Sequence, residues 1–460
     1  MKSSLRAWQR RCIEAALQHY VIAPHFFCQA TPGAGKTWMA AELANHLLRQ
    51  NKIDLVLCFA PSCQVVEGFR STFTKVLGRR LDGLIGAVGS ACTYQAMEYQ
   101  AEEFWLLLEN YRVFAVFDEI HHCAGNDPIV SNAWGQQIIQ RIQDRAVFTL
   151  ALSGTPWRSD DKGISLARYS TCDDRLICDY RYGLLEAISD KVCRSPRIVL
   201  LDNHAVKLRE DSNNTSSERL FPSFKQLLCE SPVSYENLLR HPEIINQMLN
   251  LATLKLEQLR LINLNAGGLV VATDIEHAHQ IASAFEAKGE SCRIVTNRDK
   301  HAQARIDEFR NGTSRWIVAV GMISEGTDIP RLQVCCYLSR IRTELHYRQV
   351  LGRVLRRTGS TDDQAWLYVL AESTLEGFSQ RVADDLPEDL ATLSRVPMLA
   401  DEAVPIEVRE PSYQQEYLLS DDAQNAYELA LGLPSSGPDA VSAYQLSFSQ
   451  RYHQELLALL

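Results

Sequence analysis

The chain has 460 residues, 46% hydrophobic and 22% charged, with a formal net charge of −9. Such a composition supports sizeable cores in roughly two to four domains. No run approaches the ~18 uninterrupted apolar residues a membrane span needs, and no signal region survives the polar residues near the start, so a soluble cytoplasmic protein with no membrane contact is expected.

The charge is unevenly spread. Residues 358–460 hold 4 Arg/Lys against 18 Asp/Glu, and the preceding 357 hold 43 against 38. Seven arginines and one acid, Glu344, fall within 331–357. A mildly basic body with an acidic tail leaves a nucleic-acid groove open as a reading. Thirteen cysteines occur without a Cys-x-x-Cys pair. Free, mostly buried thiols in a reducing compartment are therefore expected.

In chain order, Phe26-Phe27-Cys28-Gln29 predicts a strand leading into Ala30-Thr31-Pro32-Gly33-Ala34-Gly35-Lys36-Thr37, and 38–48 predicts the helix that follows. Apolar runs at 53–60, 113–117 and 146–152 predict further strands with helical stretches between them. This alternation points to a parallel sheet covered on both faces. Residues 202–218, polar and rich in Asn and Ser, predict an exposed loop, and 241–263 a connecting helix. A second series begins near 267, with strands at 268–273, 292–296, 316–320, 334–338 and 365–370. Its helices are expected at 275–288, 302–310 and 343–357. Past about 376 the acidic, proline-punctuated chain predicts loosely packed helices or partial disorder. The reading is α/β, with two parallel-sheet domains in tandem. A nucleotide-binding domain covers 1–200, a linker with its connecting helix 201–265, a second domain 266–375 and an acidic C-terminal extension 376–460.

The segment Thr31–Thr37 follows a strand and opens a helix, as a phosphate-cradling loop requires. Its small residues let backbone N–H groups turn toward phosphate oxygens, and the helix N-terminus adds a favourable dipole. ATP with Mg²⁺ is the expected ligand. Thr31, Pro32, Gly33, Ala34 and Gly35 would form the cradle, Lys36 would contact the β/γ-phosphates, and Thr37 would ligate Mg²⁺. The strict pattern places Gly where Ala30 stands. The strand at 113–117 delivers Asp118-Glu119-Ile120-His121 at its C-terminal end, where ligands bind in open α/β sheets. Asp118 would hold Mg²⁺ through water, Glu119 would orient or deprotonate the attacking water, and His121 would couple the site to the second domain. His121, His122 and Cys123 are too close in sequence to converge on one metal ion.

With these motifs in order, the chain resembles a superfamily 2 helicase of the DExH group over roughly residues 5–370. The resemblance implies two RecA-like domains. Leu5-Arg6-Ala7-Trp8-Gln9 is similar to the family's adenine-reading element, with Arg6 and Gln9 at its informative positions. Phe59-Ala60-Pro61-Ser62 and Thr93-Tyr94-Gln95 resemble segments lining the nucleic-acid path. Ser153-Gly154-Thr155-Pro156-Trp157-Arg158 resembles the motif linking ATP state to strand grip. The stretch 321–330 resembles the motif contacting nucleic acid and nucleotide, which brings in Gly326 and Asp328. Gln349, Gly352, Arg353 and Arg356 match the terminal arginine motif. On a helix 349, 353 and 356 share one face, and Arg353 with Arg356 would reach the γ-phosphate.

The Arg6/Gln9 start, the Ser153–Arg158 form and Asp179-Tyr180-Arg181-Tyr182 before Glu186-Ala187 resemble DNA-tracking motors, which include restriction-enzyme motor subunits and DNA-repair translocases, so DNA is favoured over RNA. Cutting, if the protein serves a defence system, would fall to a nuclease partner. The expected activity is ATP-dependent helicase or translocase action on nucleic acid. The alternatives are an ATP-gated clamp that recruits effector proteins, and an RNA helicase.

Overall fold

The computed structural model describes residues 5–125, 131–155, 162–172, 175–212, 215–321, 328–357, 359, 362–386, 392–397 and 444–448. The chain divides into two compact units, the first ending at Val192 and the second beginning at Cys193.

The first unit is built on β1 (His25–Ala30), β2 (Leu55–Ala60), β3 (Gly89–Thr93), β4 (Val113–Asp118) and β5 (Phe148–Ser153). A two-stranded ladder of β6 (Arg168–Tyr169) and β7 (Leu176–Ile177) follows, then β8 (Tyr180–Tyr182). The main sheet has the order β3-β2-β4-β5-β1-β8, and all its pairings are parallel. Every residue of β4 is buried, as a continuous apolar run must be when helices cover both faces. Helices Ala7–His19, Lys36–Arg49 and Cys63–Leu77 pack side by side, and the core that holds Phe27, Phe59, Ala115 and Phe117 is closed by Tyr94, Met97, Ile138 and Ile142. Ser62 caps the third helix by accepting from the Val65 amide, and Gly78, at φ 67°, ends it in the left-handed conformation, where a side chain would be strained. Phe59 and Phe117 stack at 5.2 Å in the core.

The second unit holds β9 (Ser195–Asp202), β10 (Val206–Ser212), β11 (Thr215–Phe221), β12 (Gly267–Ala272), β13 (Cys292–Thr296), β14 (Trp316–Val320), β15 (Leu332–Leu338), β16 (Gln364–Leu370), β17 (Thr392–Pro397) and β18 (Tyr444–Phe448). Its parallel sheet runs β13-β14-β12-β15-β16-β9-β17. The helix Pro242–Arg260 starts with proline at its first turn behind a His241 cap, the position that needs no N–H. It buries Ile244, Ile245, Met248, Leu249, Ala252 and Leu256. Two tandem parallel-sheet α/β units bear out the expected fold class.

Three local expectations change. β9 pairs with β16 from Ser195↔Gln364 to Leu201↔Leu370, so residues 195–200 belong to the second sheet rather than the first domain. Within 202–218, residues 206–212 and 215–218 are strand rather than loop, belonging to the antiparallel pair β10 and β11 that β18 extends into a three-stranded sheet. Val206 and Leu208 are buried between exposed Lys207 and Arg209, a strand alternation that the Asn/Ser-rich tip obscures. The helix expected over 343–357 spans only Glu344–Val354.

All thirteen cysteines are free thiols, seven of them buried. No helix among the described residues is long and apolar enough to cross a membrane.

Candidate active site

β1 ends at Ala30, paired in register with Tyr182 of β8. A strand residue needs no glycine, which accounts for alanine at this position. The Thr31 amide donates to the Tyr182 carbonyl at 3.1 Å, and the chain then turns through Gly33 at φ 82° and Gly35 at φ 91°. Backbone with positive φ favours glycine. At Gly35 an added Cβ would also lie 3.0 Å from Gln9 Nε2. The next residues, Lys36 and Thr37, open the helix Lys36–Arg49, whose first-turn N–H groups have no partner within the helix. Arg6 Nη1 donates to the Ala34 carbonyl at 2.7 Å and to Gly33 at 3.4 Å, and Gln9 Nε2 donates to Gly35 at 3.0 Å. Both side chains therefore brace the loop's carbonyl side, while its Thr31 and Ala34 amides donate within the fold, to the Tyr182 and Thr31 carbonyls.

β5 separates β1 from β4, and the C-terminal ends of all three converge. Lys36 Nζ donates to the Ala30 carbonyl at 3.2 Å and to Glu119 Oε1 at 3.1 Å. Glu119 Oε2 accepts from the Gly154 amide at 3.2 Å and from Ser153 Oγ at 3.4 Å. His121 Nδ1 lies 2.9 Å from Ser153 Oγ and 3.4 Å from Glu119 Oε2, and the Thr155 amide donates to Ser153 Oγ at 3.1 Å. Burial opposes ionisation of Glu119, but the Lys36 ammonium, His121 and the Gly154 N–H outweigh it and hold the carboxyl down to about 2. Glu119 is thus a carboxylate at neutral pH. Its backbone sits at φ 49°, ψ 50°, a left-handed conformation that costs a non-glycine residue about 1–3 kcal/mol and is typical of functional sites.

The residues fit a magnesium-nucleotide. Glycines hold the loop open, and a Cβ at Gly154 would lie 3.1 Å from Lys36 Nζ and 3.2 Å from Pro32. Thr37 and Asp118 supply hard oxygen donors of the kind Mg²⁺ takes. His121 is buried within the first unit.

Sequence reasoning overlooked one contact. The buried Tyr94 hydroxyl donates to the Asp118 carbonyl at 2.7 Å, while its ring stacks on Trp134 at 5.7 Å. The Thr93-Tyr94-Gln95 segment is thereby tied to the strand end that carries both acids.

In the second unit, Gln349 and Arg353 lie on the helix Glu344–Val354, but Arg356 lies beyond its end and forms an isolated antiparallel bridge with Cys193. The single helical face expected for 349, 353 and 356 therefore does not extend to Arg356. Its guanidinium pairs with the Asp328 carboxylate, and the Asp328 carbonyl accepts from Arg310 Nε at 2.6 Å. Gly326, with Ser324, Glu325 and Thr327, lies outside the described residues, as do Pro156, Trp157 and Arg158.

Residues 2–158, which carry the phosphate loop and the Asp-Glu pair, match the family of type III restriction enzyme res subunits. Residues 254–358, which carry the arginine helix, match the helicase conserved C-terminal domain. The chain belongs to helicase superfamily 2. This superfamily 2 chain is 32% identical over 381 residues to an uncharacterized protein of Mycobacterium tuberculosis, covering 78% of itself and 60% of that protein. A Mycobacterium leprae counterpart is 32% identical over 375 residues, covering 76% of this chain and 59% of that protein. The chain thus spans about three fifths of the length of these relatives. It is 25% identical over 387 residues to the DNA 3'-5' translocase XPB2 of Sulfurisphaera tokodaii, covering 77% of this chain and 79% of that one.

Among solved structures, it resembles a fragment assigned as the HsdR subunit of a type I restriction enzyme from Vibrio vulnificus, with 14% identity and TM-score 0.59 over 85% of this chain and 68% of that one. It also resembles the ATP-dependent type ISP restriction–modification enzyme LlaBIII bound to DNA, with 13% identity and TM-score 0.55 over 86% of this chain and 32% of that one. At such identities these two matches speak to the fold, which is RecA-like.

Proposed function

We propose that this superfamily 2 protein is a nucleic-acid-stimulated ATPase that tracks along a nucleic-acid backbone, with DNA favoured over RNA. The observation that carries the proposal is the 3.1 Å ion pair between Lys36 and Glu119. It brings the lysine of a phosphate loop to a carboxylate held ionised at the adjoining strand ends.

In this reading the loop Thr31–Gly35 and Lys36 hold the phosphates, while Arg6 and Gln9 fix the loop and read the adenine. Thr37 and Asp118 hold Mg²⁺, which neutralises phosphate charge when bound. Glu119 orients the attacking water and takes its proton. Gly326 and Asp328 would contact the nucleotide, and Arg353 and Arg356, with Gln349, would meet the charge that develops at the γ-phosphate. An arginine in this role is worth ~10³–10⁵ in rate. Asp328 currently shares the Arg356 guanidinium, so that pairing loosens when the arginine is engaged. The likeness to a translocase on DNA, and to restriction enzymes, supports DNA as the track and a nuclease or repair protein as partner.

The test measures ATP turnover alone and with single-stranded DNA, duplex DNA or RNA. Stimulation by either DNA above RNA, weakening steeply with salt as backbone binding should, is expected. Turnover indifferent to all three nucleic acids would overturn the proposal. Stimulated turnover without strand displacement or roadblock removal would point instead to an ATP-gated clamp.

A further inference from the structure

The chain passes from the first unit to the second at Val192/Cys193, and the next residue, Arg194, is completely buried. All five N–H donors of its guanidinium are used. Nε donates to Asp362 Oδ1 at 2.5 Å, and Nη2 donates to Asp362 Oδ2 and to the Pro330 carbonyl at 2.8 Å. Nη1 donates to the Val354 carbonyl at 2.5 Å and to that of Leu332. Asp362, itself 3% exposed, also accepts from Gln333 Nε2.

An ion pair so far from water is weak support for stability, since apolar replacements of similar volume are often neutral or better. What the pair does specify is geometry. Val354 is the last residue of the helix that carries Arg353. The Arg194 amide donates to the Leu355 carbonyl at 2.7 Å, and Cys193 bridges Arg356. Pro330 lies two residues after Asp328, the partner of Arg356. The planar guanidinium fork thus gathers the end of the arginine helix and the segment behind Asp328 onto the first residues of the second unit.

We propose that Arg194, held by Asp362, is a positioning residue for Arg353 and Arg356, fixing the arginine-bearing segment to the point where the chain enters the second unit. This rests on the reading of those two arginines given above. A cycle of variants tests it: R194M/D362L, R356A and their combination, measured for melting temperature, binding of a non-hydrolysable ATP analogue, and nucleic-acid-stimulated kcat and KM.

The apolar pair is expected to fold and to bind the analogue within about twofold of the native chain. Its kcat should fall about 10–100-fold, a part of what a misplaced arginine can lose, with KM little changed. With R356A the two losses should fall well short of multiplying, since Arg194 acts in part through Arg356. R194K, which keeps the charge but not the fork, carries the same cycle if the apolar pair does not fold. Native kcat in the folded variant, or losses that multiply with R356A, would overturn the proposal. Native turnover in R356A itself would instead refute the role given to the arginines.

Discussion

Under the proposed function Glu119→Gln should separate binding from chemistry, because the carboxylate proposed to aim water is also the partner of the lysine proposed to hold phosphate. The Glu119 carboxyl, held down from the ordinary 4.5 to about 2, has a strong net preference for the charged form. Much of that comes from Lys36, 3.1 Å away in a pair whose side chains are only 10% and 22% exposed. An incoming phosphate has to draw Lys36 from this partner. Glutamine keeps the shape and still accepts from the Gly154 amide, but it releases the lysine. ATP-analogue affinity, measured by calorimetry, should therefore stay level or tighten by up to about tenfold, a gain of ~1.4 kcal/mol. Phosphate release should fall about 10²–10⁴-fold, the usual contribution of a general base. Native turnover in the variant would remove Glu119 from its role, and weakened binding would refute the competition.

Gly154→Ala should crowd the phosphate loop, since its Cβ would stand 3.1 Å from Lys36 Nζ and 3.2 Å from Pro32. At about 1 kcal/mol for mild overpacking, nucleotide affinity should drop roughly fivefold with the melting temperature little changed, and native affinity would refute that geometry. In the second unit, burial pushes His241 down to about 4, and burial with the nearby Arg240 does the same for His277. The unfolded chain takes up these protons near pH 6.5 and the folded chain only near 4. The stabilisation is therefore complete above pH 6.5 and is lost as pH falls toward 4, by up to about 3 kcal/mol per histidine. Calorimetric melting across that window should show the decline, and His277→Asn should flatten it; equal slopes in both proteins would exclude His277 as a cause.

Much of the first unit's site was legible because its chemistry is local. Phe26 through Thr37 spell strand, glycine turn and helix in twelve consecutive residues, and Asp118-Glu119 follows an apolar run that could only be a buried strand. Alternating apolar segments likewise announced two parallel sheets. Tyr94 escaped notice because nothing in Thr93-Tyr94-Gln95 says that a hydroxyl will reach a carbonyl 24 residues away. β10 and β11 were hidden by a polar tip, and their third strand comes from Tyr444–Phe448, beyond any local window.

The sequence by itself determined the kinds of groups this protein would use and the order in which they occur, since strand propensity, glycine turns and helix starts are set by neighbours in the chain. Tertiary structure alone decided which groups meet. Lys36 finds Glu119 across 83 residues, and Arg194 finds Asp362 across 168. Arg356 leaves the helix to pair with Asp328, while Arg194 takes the carbonyl of the helix's last residue. The physical reason is that hydrogen bonds and ion pairs act over a few ångströms of space, and the distance between residues in space is set by sheet order rather than by position along the chain.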